Sequence, residues 1–482
     1  MKSPVIRASL KFIGVLCALV FLGSCDKGKL KDNEPPHTSI SIDSILLSGE
    51  DRLNSVVQVH WWGTDLDGVV EGFEVSLDNV NWQFTRSQDS TFLFSITAGN
   101  DTVDIDLWIR AIDDDGAVDE TPAYLSIPLK NTPPEIEFQS ALIPDDTSFN
   151  LVTLAWKASD LDGFDNLEAI ELKINTGEWV SLSKNIEIIT IVPDDASLNG
   201  TASAHLYTDS ETKNEAIEGL QLNAANEFYI RARDIAGAYS IEDTISDLFV
   251  TNKTSDLLVI GANSASPNAF YKSNLTQIGQ TFDFIDFVRD DAKNQPRIWS
   301  PTFSLLLQQY DAVIMYANDV TYTNAQTNAE DIILEFAATS IQEFTDGGGK
   351  LWLNSSFPNA YSTGSSLFGI LPIDSFSTSD GLARLPIDSL AIGELTGYPD
   401  LTCEAFISGL DPFYPSSDAD VVYTAQLTKN NGWEGPDIIA ARRKLNGNTN
   451  FIMMTVELHK LNKDPAAAED LFTHVLTQEF NW

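Results

Sequence analysis

The chain has 482 residues, of which 70 are Asp or Glu and 29 are Lys or Arg, and its formal charge at pH 7 is −41. A chain this acidic repels nucleic acids and anionic lipid headgroups, which excludes polyanion binding as its main role. Its length is sufficient for two to four domains, each with a buried apolar core.

The first residues have the features of a secretory signal. A basic start precedes a short apolar run from Phe12 to Leu22, and two small residues follow. This run is too short to cross a bilayer as a helix, whereas a cleaved signal peptide has this length. The sequence therefore predicts a signal peptide over residues 1–24.

The segment "LGSC" that ends this stretch resembles a bacterial lipobox. The resemblance implies that Cys25 becomes the lipidated N-terminus and that the lipid (palmitate in such proteins) holds the chain at the membrane. We therefore expect a lipid-anchored protein of the cell envelope, at the outer membrane and facing the periplasm or the exterior. Cys17 would leave with the signal, so Cys403 would be the remaining thiol and no disulfide is expected.

Paired prolines mark two linkers. Residues 25–36 form a polar tether that ends in "NEPP", and "NTPP" follows about a hundred residues later. Prolines continue neither a helix nor a central strand, so both motifs indicate boundaries. We predict a first domain over residues 37–131, a second over residues 132–252 and a third over residues 253–482.

The first two domains form an internal repeat in which "WWGTDLDG" matches "WKASDLDG". The matched pairs are Trp62 with Trp156, Asp67 with Asp162, Trp82 with Trp179, and Arg110 with Arg231. The second copy is longer between its last Trp and its Arg. The extra residues, "VPDDASLNGTASAHLYTDSETKNEAIEG", predict a long loop or an added hairpin.

Each repeat has the pattern of an all-β domain. Phe73, Val75 and Leu77 alternate with polar residues, and short strands separated by turn residues are typical of a β-sandwich. The order of motifs, including "YIRARDIAG" in the second copy, resembles fibronectin type III and related immunoglobulin-like modules. The resemblance implies two tandem sandwiches and gives little information about a ligand.

The third domain has a different pattern. The apolar runs "DLLVIGANS" and "YDAVIMYAND" are typical of buried parallel strands. A capping box at Thr327–Glu330 predicts the start of a helix, and Asp464 followed by Pro465 predicts the start of the last one. Alternating strands and helices predict a three-layer α/β domain with a mostly parallel sheet.

This domain resembles the class I glutamine amidotransferase-like superfamily, and within it the ThuA-like members, through "YDAVIMYAND" and "FTDGGGKLWLNSS". The resemblance implies a catalytic Cys near Ser355 or Ser356, and a His followed two residues later by a Glu. Here the order is reversed, with Glu457 before His459. The Cys-His-Glu triad is not reproduced, so we expect no enzyme. The alternative is a hydrolase that uses Ser356 or Ser355 with His459.

The repeated Asp-x-Asp-Gly loops are the first candidate site. Loops at one end of a sandwich bring carboxylates together, and clustered carboxylates suit Ca²⁺. The same motif also forms a tight turn in which Asp caps the backbone and Gly takes a positive φ. Both interpretations stay open, and apart from this structural calcium no cofactor is expected. The carboxylates concerned are Asp65, Asp67, Asp113, Asp115, Asp160, Asp162 and Asp234.

The second candidate site is a crevice in the third domain. Ligands of open α/β sheets bind beyond the carboxyl ends of the strands, where this sequence places polar residues after apolar runs. The residues predicted to line this crevice are Asn263, Asn318, Asp319, Ser356 and His459.

Aromatic residues of the first repeat give a further indication. Trp61 and Trp62 are adjacent in a predicted strand, so their side chains point to opposite faces and one is expected to be exposed, where it can stack on a sugar. We therefore predict a non-catalytic binding or scaffold module with a glycan, peptide or protein partner. Lipoproteins with this organisation are typical of Bacteroidetes-type envelopes. Nucleic acid is not an expected partner, and these features do not set the oligomeric state.

Overall fold

The structure is a computed structural model, and it describes residues 32–42, 56–93, 101–288, 295–357, 364–377 and 382–482. Cys25 and the predicted signal peptide lie outside the described residues, so lipidation stays a prediction. Within the described residues, no helix is both long enough and apolar enough to cross a membrane.

The chain divides into two compact units. The first consists of Met1–Thr132, Leu161–Asn166 and Ile235–Gly237, and the second consists of Pro133–Asp160, Leu167–Asp234 and Ala238–Trp482. The two short segments in the first unit come from loops of the second repeat. The predicted domain boundaries stay predictions.

The described part of the first unit is a β-sandwich. Its strands are β1 (His37–Ile42), β2 (Val56–Thr64), β3 (Val70–Ser76), β4 (Gln83–Thr85), β5 (Asp89–Leu93), β6 (Thr102–Asp113) and β7 (Ala123–Lys130). One sheet has the order β1-β2-β5 and the other has the order β4-β3-β6-β7. Trp61, Phe73 and Ile109 are among the side chains that fill the core. Leu77 departs from the predicted alternation and is exposed, because β3 ends at Ser76.

The second repeat also forms two packed sheets. Its strands are β8 (Glu135–Phe138), β9 (Thr147–Ser148), β10 (Val152–Ser159), β11 (Leu167–Ile174), β12 (Val180–Ser183), β13 (Ile188–Pro193), β14 (Gly200–Tyr207), β15 (Lys213–Leu222), β16 (Ala224–Asp234) and β17 (Asp243–Val250). Short 3₁₀ helices lie at Ser140–Leu142 and Phe164–Asn166. The sheet orders are β15-β14-β13-β10-β8 and β12-β11-β16-β17-β9. The extra residues of this copy form the antiparallel hairpin β14–β15, which confirms the predicted added hairpin.

The C-terminal region begins with alternating strands and helices. These elements are β18 (Leu257–Ala262), α1 (Asn268–Gln277), β19 (Asp283–Asp286), α2 (Thr302–Leu307), β20 (Ala312–Ala317), β21 (Thr321–Thr323), β22 (Glu330–Ile332), α3 (Ile333–Asp346), β23 (Lys350–Ser355) and α4 (Ser366–Ile370). The predicted capping box is wrong: Glu330 pairs with Thr323 in the small hairpin β21–β22, and α3 begins only at Ile333. Pairing with a neighbouring strand has overridden the local helix-start signal.

The remaining elements are mainly short strands. They are β24 (Ile373–Phe376), β25 (Ala383–Leu385), β26 (Leu390–Gly393), β27 (Leu401–Thr402), β28 (Ile407–Ser408), β29 (Phe413–Pro415), β30 (Ala419–Ala425), β31 (Thr428–Lys429), β32 (Ile438–Leu445), β33 (Asn448–Met454), a 3₁₀ helix (Leu458–Leu461), α5 (Pro465–His474) and a π-helical turn (Val475–Glu479). The predicted start of α5 is confirmed, since the Asp464 side chain accepts a hydrogen bond from the Ala466 N–H.

Nine strands of this region form one mixed sheet, in the order β19-β18-β20-β23-β33-β32-β30-β26-β27. The first five strands run parallel, whereas the pairings from β33 onwards are antiparallel. The prediction of a mostly parallel sheet is therefore wrong for this second half. The reversal follows from a two-residue turn at Asn446–Gly447, where both residues have a positive φ, because such a turn joins antiparallel strands.

Both faces of this sheet are buried. Alternate residues of the parallel strands belong to two different apolar clusters. Val313 and Leu353 pack with residues of α2 and α3 in one cluster, and Ile314 and Trp352 pack with residues of α1 and α5 in the other. Strands that are buried on both faces have continuous apolar sequences, which explains why the sequence predicts these strands.

The second sandwich and the C-terminal region share an apolar core. Leu151 and Val192 of the sandwich belong to the same cluster as Phe303 of α2. The hydroxyls of Thr153 and Thr302 lie 2.6 Å apart within this contact. Because apolar burial is continuous across the contact, the two regions stabilise each other.

A Glu-Arg-Trp stack occurs in the same place in both sandwiches. In the first, Arg110 Nε donates to Glu74 Oε2 at 2.7 Å, and the guanidinium lies 4.0 Å from the centre of the Trp82 ring. In the second, Arg231 Nε donates to Glu171 Oε2 at 2.8 Å, and the guanidinium lies 4.2 Å from the centre of the Trp179 ring. The sequence matches of the two Trp and the two Arg residues therefore mark a shared contact.

We expect Arg231→Ala to reduce the free energy of unfolding by about 2 kcal/mol, because it removes charge-assisted hydrogen bonds and leaves a nearly buried Glu171 carboxylate unpaired. Arg233→Ala, two residues along the same strand, is the matched control. Its ion pair with Glu168 is longer and more exposed, so a loss below about 1 kcal/mol is expected. Urea denaturation checks both values, and equal losses in the two variants would contradict the stack's role.

Candidate functional site

The first Asp-x-Asp-Gly loop is a hydrogen-bonded turn. Asp65 Oδ1 accepts a hydrogen bond from the Asp67 N–H at 3.1 Å, which is the bond of an Asx turn. Asp67 Oδ2 accepts from the Glu34 N–H at 3.3 Å. The carboxylates thus bind the chain's own backbone.

Asp113 closes the neighbouring loop from a fully buried position. Its Oδ1 accepts from the N–H groups of Asp115 at 3.0 Å and Ala117 at 2.8 Å, and its Oδ2 accepts from Asn33 Nδ2 at 2.6 Å. Burial acts to raise the pKa of Asp113, but these hydrogen bonds outweigh it and hold the pKa below its ordinary value. The ionised carboxylate therefore stabilises the loop and attaches the tether residue Asn33.

The second repeat uses its carboxylates in a similar way. Asp234 Oδ1 accepts from the Ala238 N–H at 2.8 Å, which matches the bond between Asp113 and Ala117. Asp162 Oδ2 accepts from the Thr132 N–H at 2.8 Å. Asp160 follows directly after the end of β10. In these loops, too, backbone N–H groups donate hydrogen bonds to carboxylates.

Across the part of the chain that the structure describes, no group of three or more His, Cys, Asp or Glu side chains is placed to hold a metal ion. The turn interpretation accounts for the hydrogen bonds of Asp65, Asp67 and Asp113 without an ion. Calcium binding stays a prediction that these contacts do not favour.

The carboxyl ends of the parallel strands bring together part of the predicted crevice. Asn263 Nδ2 donates to Glu457 Oε1 at 3.0 Å, and Glu457 also pairs with Lys460. Asn318 Nδ2 donates to the Ser264 hydroxyl at 2.7 Å. These bonds join neighbouring loops across the end of the sheet. Asp319 is exposed beside them.

The structure gives no support to a Ser-His pair. Ser355 is fully buried and its hydroxyl donates to the Ser356 carbonyl at 3.2 Å. Among the described residues, no hydrogen bond joins His459 to Ser355 or Ser356. Burial lowers the pKa of His459, and the nearby Glu404 carboxylate only partly offsets this effect.

Cys403 is not an activated nucleophile either. It is fully buried, its thiol donates to the Ala405 carbonyl, and burial raises the pKa of the thiol. A reactive cysteine needs the opposite shift, towards the thiolate. Neither Cys403 nor the serines therefore form a recognisable acyl-transfer site.

Aromatic side chains are exposed on the first sandwich. Trp61 is 2% exposed and Trp62 is 46% exposed, which confirms that the two point to opposite faces. The predicted match of Trp62 with Trp156 is wrong, because Trp156 is fully buried and corresponds to Trp61. On the outer face of the other sheet, Trp108 and Tyr124 lie opposite each other on β6 and β7, with ring centres 5.2 Å apart. Tyr124 is 52% exposed, and its hydroxyl donates to Asp106 at 2.6 Å. We call Trp108, Tyr124 and Asp106 the aromatic face.

Sequence reasoning missed Tyr124, since a single Tyr on a strand has no distinguishing pattern. Asp106 and Trp108 are two residues apart in β6 and so share a face, which the sequence does show. The signal that was lacking is the register between β6 and β7, which sets Tyr124 opposite Trp108. Register depends on the partner strand and cannot be obtained from one strand alone.

No family model matches the chain. No curated protein matches it either. Among solved structures, the chain is similar to fibronectin(III)-like modules of Clostridium thermocellum CbhA, with 16% identity, a TM-score of 0.18, and coverage of 44% of this chain and 94% of that one. It is similar to the PKD1 domain of Vibrio anguillarum Epp, with 14% identity, a TM-score of 0.15, and coverage of 20% and 99%.

A third similar structure is described as carbohydrate-binding modules from the β-sandwich superfamily. It has 9% identity, a TM-score of 0.16, and coverage of 45% of this chain and 86% of that one. These TM-scores are low, so the fold described above rests on the strand pairing of the chain itself.

We expect thermal melts of residues 26–482 in calcium and in chelator to coincide, because the loop carboxylates already accept backbone hydrogen bonds. Asp67→Ala and Asp162→Ala are expected to shift the melting temperature equally in both conditions. A calcium-dependent rise that disappears in these two variants would contradict the turn interpretation and establish a metal site.

The lowered pKa of Asp113 predicts a pH dependence of stability. A carboxyl group whose pKa is lower in the folded state stabilises it fully above about pH 4, and this contribution disappears as the pH falls through the folded-state pKa. Asp113→Asn should therefore be less stable than the wild type at pH 7, and the difference should shrink towards pH 3. Urea denaturation across this range checks it, with the exposed Asp115→Asn as control. A difference that is constant with pH would contradict the role of the ionised group.

Proposed function

We propose that this chain is a lipid-anchored cell-envelope protein whose first sandwich binds a glycan without catalysing a reaction. The observation that carries the proposal is the aromatic face. The half-buried Trp108 ring and the exposed Tyr124 ring each offer an apolar surface for the C–H groups of a sugar, and the adjacent carboxylate accepts hydrogen bonds from its hydroxyls. Trp62, on the other sheet, offers a second exposed ring.

Tyr124 uses its one hydroxyl hydrogen in the bond to Asp106, which leaves its oxygen to accept a hydrogen bond from a ligand. The hydrogen bond to Asp106 raises the pKa of the Tyr124 phenol above its ordinary value. Asp106 in turn is held in one orientation by that hydroxyl. A pre-positioned ring and carboxylate lose little conformational freedom when a ligand binds.

Charge restricts the kind of glycan. With a formal charge of −41, the chain repels uronic-acid and sulfated polysaccharides. The aromatic face adds the carboxylate of Asp106, which again disfavours an anion. We therefore propose a neutral or amine-bearing polysaccharide as the ligand class.

We also propose a lipid anchor at Cys25, fibronectin type III-like sandwiches and an amidotransferase-like C-terminal domain. The lipobox-like "LGSC" supports lipidation of Cys25 and a place in the outer membrane. The sheet orders β1-β2-β5 and β4-β3-β6-β7 support a fibronectin type III-like sandwich. Five adjacent parallel strands, with helices packed against both faces, support a degenerate amidotransferase-like α/β domain at the C-terminus. The lack of a Ser-His bond favours binding over the hydrolase alternative.

We expect Trp108→Ala and Tyr124→Ala each to weaken retention of a bound glycan by about tenfold or more, because each removes most of one stacking surface. Affinity electrophoresis of residues 26–482 in gels that contain neutral glucans, mannans or chitosan measures retention. Phe406→Ala, which removes an equally exposed aromatic ring from the C-terminal region, is the matched control. Retention by none of these glycans, or an equal loss in the control, would overturn the proposal.

A further inference from the structure

The tether is bound to one end of the first sandwich. Asn33 Nδ2 donates to Asp113 Oδ2 at 2.6 Å, and the Glu34 N–H donates to Asp67 Oδ2 at 3.3 Å. Asp67 lies in the β2–β3 loop, and Asp113 is the last residue of β6. The chain therefore leaves the sandwich where these two loops meet, and we call this the tether end.

The tether end exposes two apolar side chains. Leu66 is 89% exposed and Val69 is 64% exposed, and both lie in the β2–β3 loop. The equivalent side chains of the second repeat, Leu161 and Phe164, are 54% and 48% exposed. We call Leu66 and Val69 the apolar tip. It lies in the same loop that binds the tether.

Hydrogen bonds between the two loops hold the apolar tip in place. The Val69 N–H donates to Asp114 Oδ1 at 3.0 Å, and the Asp114 N–H donates to the Val69 carbonyl at 3.0 Å. Gly68 is required between the loops, because a Cβ there would lie 2.7 Å from Asp65 Oδ2 and 2.8 Å from Asp114 Oδ1. A loop that is fixed in advance loses little conformational freedom when it binds a surface.

The tether also limits how far the apolar tip can lie from the anchor, a step that rests on the proposed lipidation of Cys25. Seven residues, 26 to 32, separate Cys25 from Asn33. Fully extended, this length of chain reaches about 28 Å. A tip held this close to a bilayer meets it at an effective concentration on the order of millimolar, so a contact of low affinity is occupied.

Carboxylates around the apolar tip restrict the kind of lipid. Asp67, Asp114 and Asp115 are exposed at the tether end. They repel anionic headgroups, whereas zwitterionic headgroups carry ammonium groups that can lie beside a carboxylate. The surface is therefore suited to a bilayer of zwitterionic lipids.

We propose that Leu66 and Val69 insert among the headgroups of a zwitterionic bilayer and orient the first sandwich with its tether end towards the membrane. The β3–β4 turn, at the opposite end of β3, then points away from the membrane. The aromatic face lies along β6 and β7, on the flank of the sandwich, so it stays open to a glycan while the apolar tip is occupied.

The test attaches the chain to vesicles chemically. A maleimide lipid in phosphatidylcholine vesicles couples to the Cys25 thiol of residues 25–482, since Cys403 is fully buried. A fluorescent amino acid replaces Asp115 at the tether end, or Val80 in the β3–β4 turn, which is 75% exposed. A lipid with a nitroxide on its headgroup should quench position 115 strongly and position 80 weakly. Equal quenching at the two positions would overturn the proposal.

Variants then test the side chains. Leu66→Ser with Val69→Ser should reduce the quenching at position 115 to that at position 80. Leu77→Ser, which removes a 53% exposed leucine from the opposite end of the sandwich, is the matched control and should leave it unchanged. Inserting about twelve Gly and Ser residues into the tether should lower the effective concentration about fourfold, with less quenching. Unchanged quenching in the double variant would refute the role of the apolar tip.

Vesicles that contain phosphatidylglycerol should quench position 115 less, because they repel the exposed carboxylates. Stronger quenching on these vesicles would show that the lysines of the tether make the contact, and would overturn the proposal. Self-association in solution that disappears in Leu66→Ser with Val69→Ser would assign the apolar tip to a second copy of the chain, with the same consequence.

Mass spectrometry of the cellular protein tests the lipid on Cys25 separately. A lipidated protein whose position 115 is not quenched on vesicles refutes the orientation alone. A protein without the lipid refutes the anchor, and with it the membrane contact in the cell, whatever the coupled chain does on vesicles.

Discussion

The burial of one face of each central strand sets the register of each sandwich, and the pairing of Glu with Arg across two neighbouring strands reinforces it. Glu74 lies directly opposite Arg110, and Glu171 directly opposite Arg231. A slip by one residue would turn the arginine into the core and the apolar side chains to solvent. The Trp ring over the guanidinium adds a second reason for this register. The register between β6 and β7, a separate pairing, then sets Tyr124 opposite Trp108 and assembles the aromatic face.

The acidic composition has a structural use in both sandwiches. Asp113 and Asp234 occupy the same place after the long penultimate strand, and each accepts an N–H four residues later. A carboxylate gives a stronger acceptor than a neutral side chain at such a turn. The same residues that suggested a metal site in the sequence thus act as turn-forming groups. Acidic residues here combine loop closure with repulsion of anionic ligands.

Features set by local chemistry could be predicted from the sequence. The buried parallel strands appear as apolar runs, the cap at Asp464 has its proline, and the repeat could be aligned through Trp82 and Arg110. The dipeptide Asn446–Gly447 is a further strong local signal for a hairpin, and it indicates where the antiparallel half of the sheet begins.

Features set by distant contacts could not be predicted. The capping box at Thr327–Glu330 lost to pairing with β21, a partner several residues away. The hydrogen bond from Asn450 Nδ2 to the Thr345 carbonyl joins residues 105 positions apart, so no local pattern in the sequence shows it. Short strands between β24 and β31 have two to seven residues, too few for a periodic pattern.

The shared core of the second sandwich and the C-terminal region has a consequence for inheritance. Sandwich modules are often exchanged between genes as independent pieces, which requires that each can leave without exposing its neighbour's interior. A recombination point after Val250 would leave Leu151 and Val192 without the helix they pack against, and Phe303 without the sandwich. Such a product would expose apolar surface and aggregate. Homologous chains should therefore gain or lose these two parts together.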